Sequence, residues 1–214
     1  MARIGLLGGS FNPAHRGHRH ISLWAMRRLG LDEMWWLVSP GNPLKADADM
    51  APYAQRLASA RLQAGRAPIR VSEFEARAGT RFTIDTVRAL LRRYPQHSFI
   101  WLMGEDIVPQ FHHWKQWRRL AQLLPIAVIP RPGYDWAARA ARAMGWLGRF
   151  VHPSGQARNW TDWSAPAITF LRLPPDPTSA TALRATDPNW HRHMQADVHG
   201  AHGTAMPTEP EEPA

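Results

Sequence analysis

The chain has 214 residues, 26 Lys+Arg against 17 Asp+Glu, a formal net charge of +9 and no cysteine. That length suits one domain with a sizeable core, and without cysteine there is no disulfide framework, thiolate metal site or cysteine nucleophile. No apolar run reaches the ~18 residues of a membrane span, and the apolar start is too short for a signal peptide, so a cytoplasmic protein that does not engage a membrane is expected.

Arg3 to Gly8 (RIGLLG) reads as a buried strand bounded by glycine. Gly17 to Gly30 reads as a helix, with Ile21, Trp24, Ala25 and Leu29 at helical spacing and Gly30 as its C-terminal cap. Met34 to Ser39 is a second strand, 52–64 a helix with Pro52 near its first turn, and Ile69 to Phe74 a third strand. A helix over Ile84 to Tyr94 leads to the apolar strand Ser98 to Met103, closed by Gly104. Helices over 115–124 and 135–147 and strands over Ile126 to Ile129 and Ala167 to Leu171 complete the pattern. Such alternation predicts an α/β fold, a parallel sheet with helices on both faces, in which ligands bind beyond the carboxyl ends of the strands. From Asp187 to Ala214 the chain has four prolines, four histidines and only scattered apolar residues, which predicts a mostly disordered tail behind a folded domain at 1–186.

Lysine occurs only at Lys45 and Lys115, and neither follows a glycine, so there is no Walker A phosphate loop. The arginine excess is compatible with a nucleic-acid surface, an enzyme for anionic small molecules, or compositional bias. Arginine is spread over every element and no nucleic-acid-binding motif is present, so a basic nucleic-acid-binding module is the less favoured class and no nucleic-acid partner is expected.

The chemistry concentrates after the first strand, in Gly8-Gly9-Ser10-Phe11-Asn12-Pro13-Ala14-His15-Arg16-Gly17-His18. Two glycines let backbone N–H groups approach a ligand. His15 and His18, three apart where a helix begins, can point the same way beside the unpaired N–H groups of the helix start. The plain alternative is a glycine turn followed by two surface histidines. Ser179 and Thr181 stand at a helix start after a proline-rich loop, with Arg184 one turn on; they can receive phosphates, or act as an N-cap and a surface arginine. Lys45 is either a phosphate ligand or a solvated loop lysine.

The eleven-residue string resembles the GGSFxPxHxGH signature of the HxGH nucleotidyltransferase superfamily, in particular its bacterial nicotinate-nucleotide adenylyltransferase family. Ser39-Pro40-Gly41-Asn42-Pro43-Leu44-Lys45 is similar to that family's second-strand loop, Thr83-Ile84-Asp85-Thr86 to its TxDT helix start, and Met103-Gly104-Glu105-Asp106 to its GxD turn. Phe111-His112-His113-Trp114 is similar to FxxW, Arg131-Pro132-Gly133-Tyr134 to RPGY, and Ser179-Ala180-Thr181-Ala182-Leu183-Arg184 to the late SxTxxR motif. The resemblance covers roughly residues 1–186 and implies a Rossmann-like nucleotidyltransferase fold. It implies transfer of AMP from ATP to nicotinate mononucleotide, with Mg²⁺ accompanying ATP and no dedicated metal-ligating side chains. His15, His18 and Arg184 are then the catalytic set, His18 carrying the larger burden, and Gly8, Gly9, Ser10, Phe11, Gly104, Asp106, Ser179 and Thr181 join them in binding ATP. Lys45, Thr83, Thr86, Trp114 and Arg131 fall to the acceptor nucleotide, Trp114 by stacking on a pyridine ring and Arg131 by choosing the acid over the amide. Thr83 could instead cap a helix and Trp114 could be core. The alternatives within the superfamily are nicotinamide mononucleotide and phosphopantetheine as acceptors.

Three other fragments lead nowhere. His18-Arg19-His20 lacks the third alternating histidine of a histidine-triad hydrolase, Lys45-Ala46-Asp47 lacks the glycine that follows a covalent adenylylation lysine, and the tail histidines lack a rigid scaffold for metal. Oligomeric state is not legible in the sequence.

Overall fold

The first apolar run forms β1 (Arg3–Gly9), flanked by β2 (Glu33–Val38) on one side and β4 (Ser98–Gly104) on the other. With β3 (Ile69–Ser72), β5 (Ile126–Ile129), β6 (Val151–His152) and β7 (Ile168–Phe170) they form a seven-stranded sheet in the order β3-β2-β1-β4-β5-β7-β6, every pairing parallel. The computed structural model describes residues 1–41, 50–131, 134–172, 174, 176 and 178–194.

Side chains alternate between the two faces of each strand, so each consecutive apolar run feeds two cores. Ile4, Leu6, Trp35, Leu37, Phe99 and Trp101 enter one cluster, and Leu7, Met34, Trp36, Ile100 and Leu102 the other. Helix α1 (Arg16–Leu29) and helix α2 (Tyr53–Ala64) cover the second face through Ala25, Met26, Leu29, Leu57 and Ala60. The first face is covered by α4 (Thr83–Arg93) and α5 (Trp117–Leu123), through Ile84, Val87, Leu90 and Leu120. This is the doubly wound, Rossmann-like arrangement the alternation predicts. Strand order reverses between β1 and β4, where a crevice opens beyond their carboxyl ends.

Gly30 caps α1 as expected, at φ 61° with its N–H bonded to Met26 O. Elsewhere the elements differ from the sequence pattern. The third strand stops at Ser72, whose Oγ accepts the Phe74 N–H (3.2 Å), and the chain turns at once into the short helix α3 (Phe74–Arg77). The helix expected over 135–147 is two pieces, α6 (Asp135–Arg139) and α7 (Met144–Leu147), joined by three-residue turn bonds such as Ala141 N to Ala138 O and Met144 N to Ala141 O. Two 3₁₀ segments, Glu105–His113 and Ser154–Asp162, and the two-residue β6 lack any periodic pattern to reveal them. Helix α8 (Ala180–Thr186) is followed by a turn at Trp190–His193 in which Trp190 is buried, so ordered chain runs past Thr186. Residues 195–214 lie outside the described residues.

Much of the arginine excess has an internal use. Arg3, Arg56, Arg70, Arg93, Arg118, Arg139 and Arg149 each lie over an aromatic ring, 4.7 to 5.9 Å from its centroid.

Candidate active site

The crevice is built first from the loop between β1 and α1. Phe11 sits at φ 48°, a left-handed conformation costing a side-chain-bearing residue about 1–3 kcal/mol. Burial of its ring offsets that cost: it stacks on Trp36 at 5.1 Å and 22°, and lies 4.9 Å from the His18 ring. Trp36 Nε1 donates to Ser22 Oγ (2.8 Å), which donates to His18 O (2.7 Å), so a buried indole fixes both the ring and the backbone of the second histidine.

His15 is the N-cap of α1, and its N–H donates to His18 Nδ1 (3.2 Å). That bond makes Nδ1 the unprotonated nitrogen of neutral His18 and leaves the proton on Nε2. The two imidazoles face each other at 3.9 Å, and buried His15 Nδ1 has no hydrogen-bond partner. Burial lowers His15 from 6.5 to about 4, with Arg131 adding to the effect and Asp176 opposing it. Burial, His15 and Arg131 hold His18 well below its usual value. Both rings are therefore neutral at pH 7 in the protein alone, and an incoming polyanion favours their protonation by opposing the repulsion from Arg131. Gly17 makes the pair possible: a Cβ there would stand 2.9 Å from His15 Nδ1 and 3.2 Å from Thr178 O.

Gly8 has a packing constraint in addition to the ligand approach read in the sequence. A Cβ at Gly8 would lie 2.7 Å from the Trp101 ring, so the position is required for an indole to pack on the sheet. At Gly9 a Cβ would meet only the Phe11 ring at 3.4 Å, an ordinary contact. Ser10 contributes its carbonyl to Arg56 Nη1 (2.7 Å).

The late segment returns to this loop. Ser179 Oγ accepts the Ala182 N–H (3.1 Å), which makes it the N-cap of α8, the alternative to a phosphate ligand. Arg184 donates from Nη1 to Asn12 O (2.6 Å) and from Nη2 toward exposed Thr181 Oγ1 (3.4 Å). Arg16 Nε donates to Thr178 Oγ1 (2.9 Å). Arg184 and Thr178 thus tie the ends of this segment to the loop that carries His15 and His18.

The opposite wall comes from the end of β4. Gly104 leaves room for the carboxylate of Asp106, with which any Cβ there would collide. Asp106 Oδ1 lies 3.4 Å from Arg131 Nε, and buried Glu105 accepts the Arg131 N–H (3.0 Å). The positive charge of Arg131 adds to the effect of burial in lowering both histidines.

Of the remaining acceptor candidates that the structure describes, one is fully buried and two are half-buried. Thr86 is fully buried; its Oγ1 donates to Glu75 Oε1 (3.3 Å) and lies 2.8 Å from Thr80 Oγ1. Half-buried Thr83 is the first residue of α4, and the N-cap is Phe82, so Thr83 does not cap. Trp114 packs edge-on to Trp101 (6.2 Å) and Phe111 (5.4 Å) against the core. Lys45, with Pro132 and Gly133, lies outside the described residues.

Among the described residues no group of three or more His, Asp or Glu side chains could hold a metal ion, and no helix is long and apolar enough to cross a membrane. A family model described as cytidylyltransferase-like matches residues 6–186. The chain belongs to the cytidylyltransferase-like family. It is 56% identical over 188 residues, 88% of this chain and 86% of the other, to a probable nicotinate-nucleotide adenylyltransferase of Erythrobacter litoralis. It is 50% identical over 182 residues, 85% of this chain and 90% of the other, to one of Parvibaculum lavamentivorans. The fold is similar to that of Plasmodium falciparum nicotinic acid mononucleotide adenylyltransferase complexed with NaAD, with TM-score 0.66, 15% identity and coverage of 86% of this chain and 83% of that one.

Three contributors to this cytidylyltransferase-like site escape sequence reasoning. Trp36 sits inside the apolar run read as the second strand, Arg56 inside the helix expected over 52–64, and Glu75 just past the expected end of the third strand. Burial raises the Glu75 carboxyl to about 7, partly countered by hydrogen bonds from Thr86 and Ser39. Its folded value exceeds the ordinary 4.5, so its stability contribution is complete below 4.5 and is lost as the pH rises through about 7. Glu75→Gln is expected to melt above the wild type at about pH 8, the gap closing as the pH falls toward 4.5. Thermal unfolding across that range checks it.

Proposed function

We propose that the crevice transfers AMP from ATP to nicotinate mononucleotide, yielding nicotinate adenine dinucleotide and pyrophosphate, a step of NAD biosynthesis. The observation that carries this reading is the hydrogen bond from Arg184 to Asn12 O, which brings the guanidinium to the loop that carries the paired imidazoles of His15 and His18. The names of relatives about half identical along most of the chain support it.

In the reaction an acceptor phosphate oxygen attacks the α-phosphorus of ATP in line; the new P–O bond forms as the bond to the pyrophosphate oxygen breaks. Such chemistry needs alignment and charge stabilisation rather than a covalent intermediate. His18 offers an Nε2 proton to the α-phosphate oxygens, and His15, Arg184 and Thr181 hold the departing phosphates, with Ser179 ordering the start of α8. Gly8, Gly9, Ser10 and Phe11 shape the floor beneath ATP, and Gly104 and Asp106 form its adenosine side. ATP would be taken as its magnesium complex: Glu105 and Asp106 already face Arg131, so phosphates and water would supply the ion's ligands.

On the acceptor side, Arg131 leaves Asp106 for the nicotinate carboxylate, Thr83 and Lys45 meet the nucleotide, and Trp114 offers its indole to the ring. Thr86 acts from beneath, through Thr80 and Glu75. We place the catalytic unit at 1–186, the tail behind it, and the enzyme in the cytoplasm.

The test is pyrophosphate release from ATP with nicotinate mononucleotide, nicotinamide mononucleotide or phosphopantetheine. Turnover is expected with the first and to fall at least about tenfold with the second, which lacks the charge for Arg131. Preference for either of the others overturns the acceptor assignment, and no release with any overturns the activity.

A further inference from the structure

Helix α2 turns three consecutive polar side chains of one face, at spacing i, i+3 and i+6, toward the crevice. Tyr53 donates its hydroxyl to Val38 O at the end of β2 (3.3 Å). Ser59 Oγ receives the Ala14 N–H in the histidine loop (3.1 Å). Between them lies Arg56, 1% exposed, the least accessible charged side chain among the described residues.

Its guanidinium meets carbonyls. Nε donates to Ala51 O (2.9 Å), Nη1 to both Ser10 O (2.7 Å) and Ser39 O (2.7 Å), and Nη2 to Pro40 O (2.8 Å), with the Tyr53 ring 5.3 Å from the guanidinium carbon. Four of the group's five N–H bonds are thereby used on three separate backbone segments. Burying a charge without a counter-charge is expensive, and that cost appears as a lowering of the guanidinium's affinity for its proton. A neutral side chain would hold α2 in the core more cheaply. What only a planar, five-donor fork can do is span Ser10, at the exit of β1, and Ser39 and Pro40, at the exit of β2, from one rigid group.

We infer that Arg56 is a positioning residue for adenylyl transfer, fixing the histidine loop after β1 against the loop after β2. The two loops are the ATP lip and the acceptor lip of the crevice, so the inference rests on the activity proposed above. In-line attack needs the reacting atoms about 3–3.5 Å apart, and a displacement near 1 Å can cost 10²-fold. Arg56 therefore acts on the alignment of two bound substrates and much less on the binding of either one.

Arg56→Lys keeps the charge and loses the fork; Arg56→Ala leaves a carbonyl-lined space that free guanidinium can enter. Both are compared with wild type for kcat, for the Kd of a non-hydrolysable ATP analogue by calorimetry, and for melting temperature. In Arg56→Lys, kcat is expected to fall about 10–100-fold while the analogue's Kd changes by less than about threefold. Guanidinium at roughly 20 mM is expected to restore Arg56→Ala activity about fivefold or more and to leave the wild type unchanged. A folded Arg56→Lys with kcat within about twofold of wild type overturns the inference, as does a parallel loss of kcat and ATP affinity. Failure of both variants to fold, without rescue by guanidinium, also overturns it in favour of a purely structural role. Wild-type pyrophosphate release in the same assay reports separately on the activity itself.

Discussion

His18→Ala is expected to lower kcat for pyrophosphate release about 10²–10³-fold, the effect of removing a donor aimed at charge that develops in the transition state. The residue is not held by one contact. Phe11 lies 4.9 Å from its ring, Trp36 supports Phe11, and the His15 N–H fixes its tautomer through Nδ1 (3.2 Å). A side chain so placed gains most when the geometry of the reacting phosphate matches it, so kcat and kcat/KM should fall together. Folding is also expected to be weakened: the His15 amide loses its acceptor, at about 1–3 kcal/mol, and the ring contacts with Phe11 and His15 are lost. Steady-state kinetics beside a thermal melt separate the two. Activity within tenfold of wild type in a folded His18→Ala protein would remove this histidine from the mechanism.

Gly17→Ala is expected to be nearly as damaging although it deletes nothing. The added carbon would stand 2.9 Å from His15 Nδ1 and 3.2 Å from Thr178 O, so the imidazole and the segment leading into α8 must both yield. That moves His15 off its 3.9 Å contact with His18 and loosens the wall that carries Arg184. A shift of this size predicts a loss of about 10²-fold in kcat/KM for ATP. Stability should fall much less than activity. Replacing glycine by alanine in a helix gains about 1 kcal/mol in propensity, against a packing strain of roughly 1–3 kcal/mol, a net loss of about 0–2 kcal/mol and at most roughly 4–8 °C in melting temperature. An active Gly17→Ala enzyme would mean that the two histidines need no close contact.

The sheet was legible because a parallel strand buried on both faces must be continuously apolar, and Arg3–Gly9, Glu33–Val38 and Ser98–Gly104 are written that way. Gly30 was legible because only a left-handed cap needs glycine at that point. The histidine pair was legible from spacing and from its neighbours. The 3₁₀ run Glu105–His113 was not, since it has neither the helical nor the strand period and carries Pro109 within it. The packing constraint on Gly8 was not legible either, because the ring that requires it, Trp101, is distant in sequence. Arg56 could not be found by pattern at all, because nothing local marks an arginine whose partners are the carbonyls of Ser10, Ser39, Pro40 and Ala51. Thr86 was singled out by motif, yet its hydroxyl is spent on Glu75 and Thr80 rather than turned to the crevice.

The bond from Arg184 to Asn12 joins residues 172 positions apart. At synthesis rates of about 5–20 residues per second, the histidine loop exists for roughly 10–35 s before its arginine is made. A nascent chain can therefore complete most of the sheet while one wall of the crevice is still missing. Premature termination between Phe170 and Ala180 would leave every strand of the sheet in place and take Arg184 away from the histidine loop.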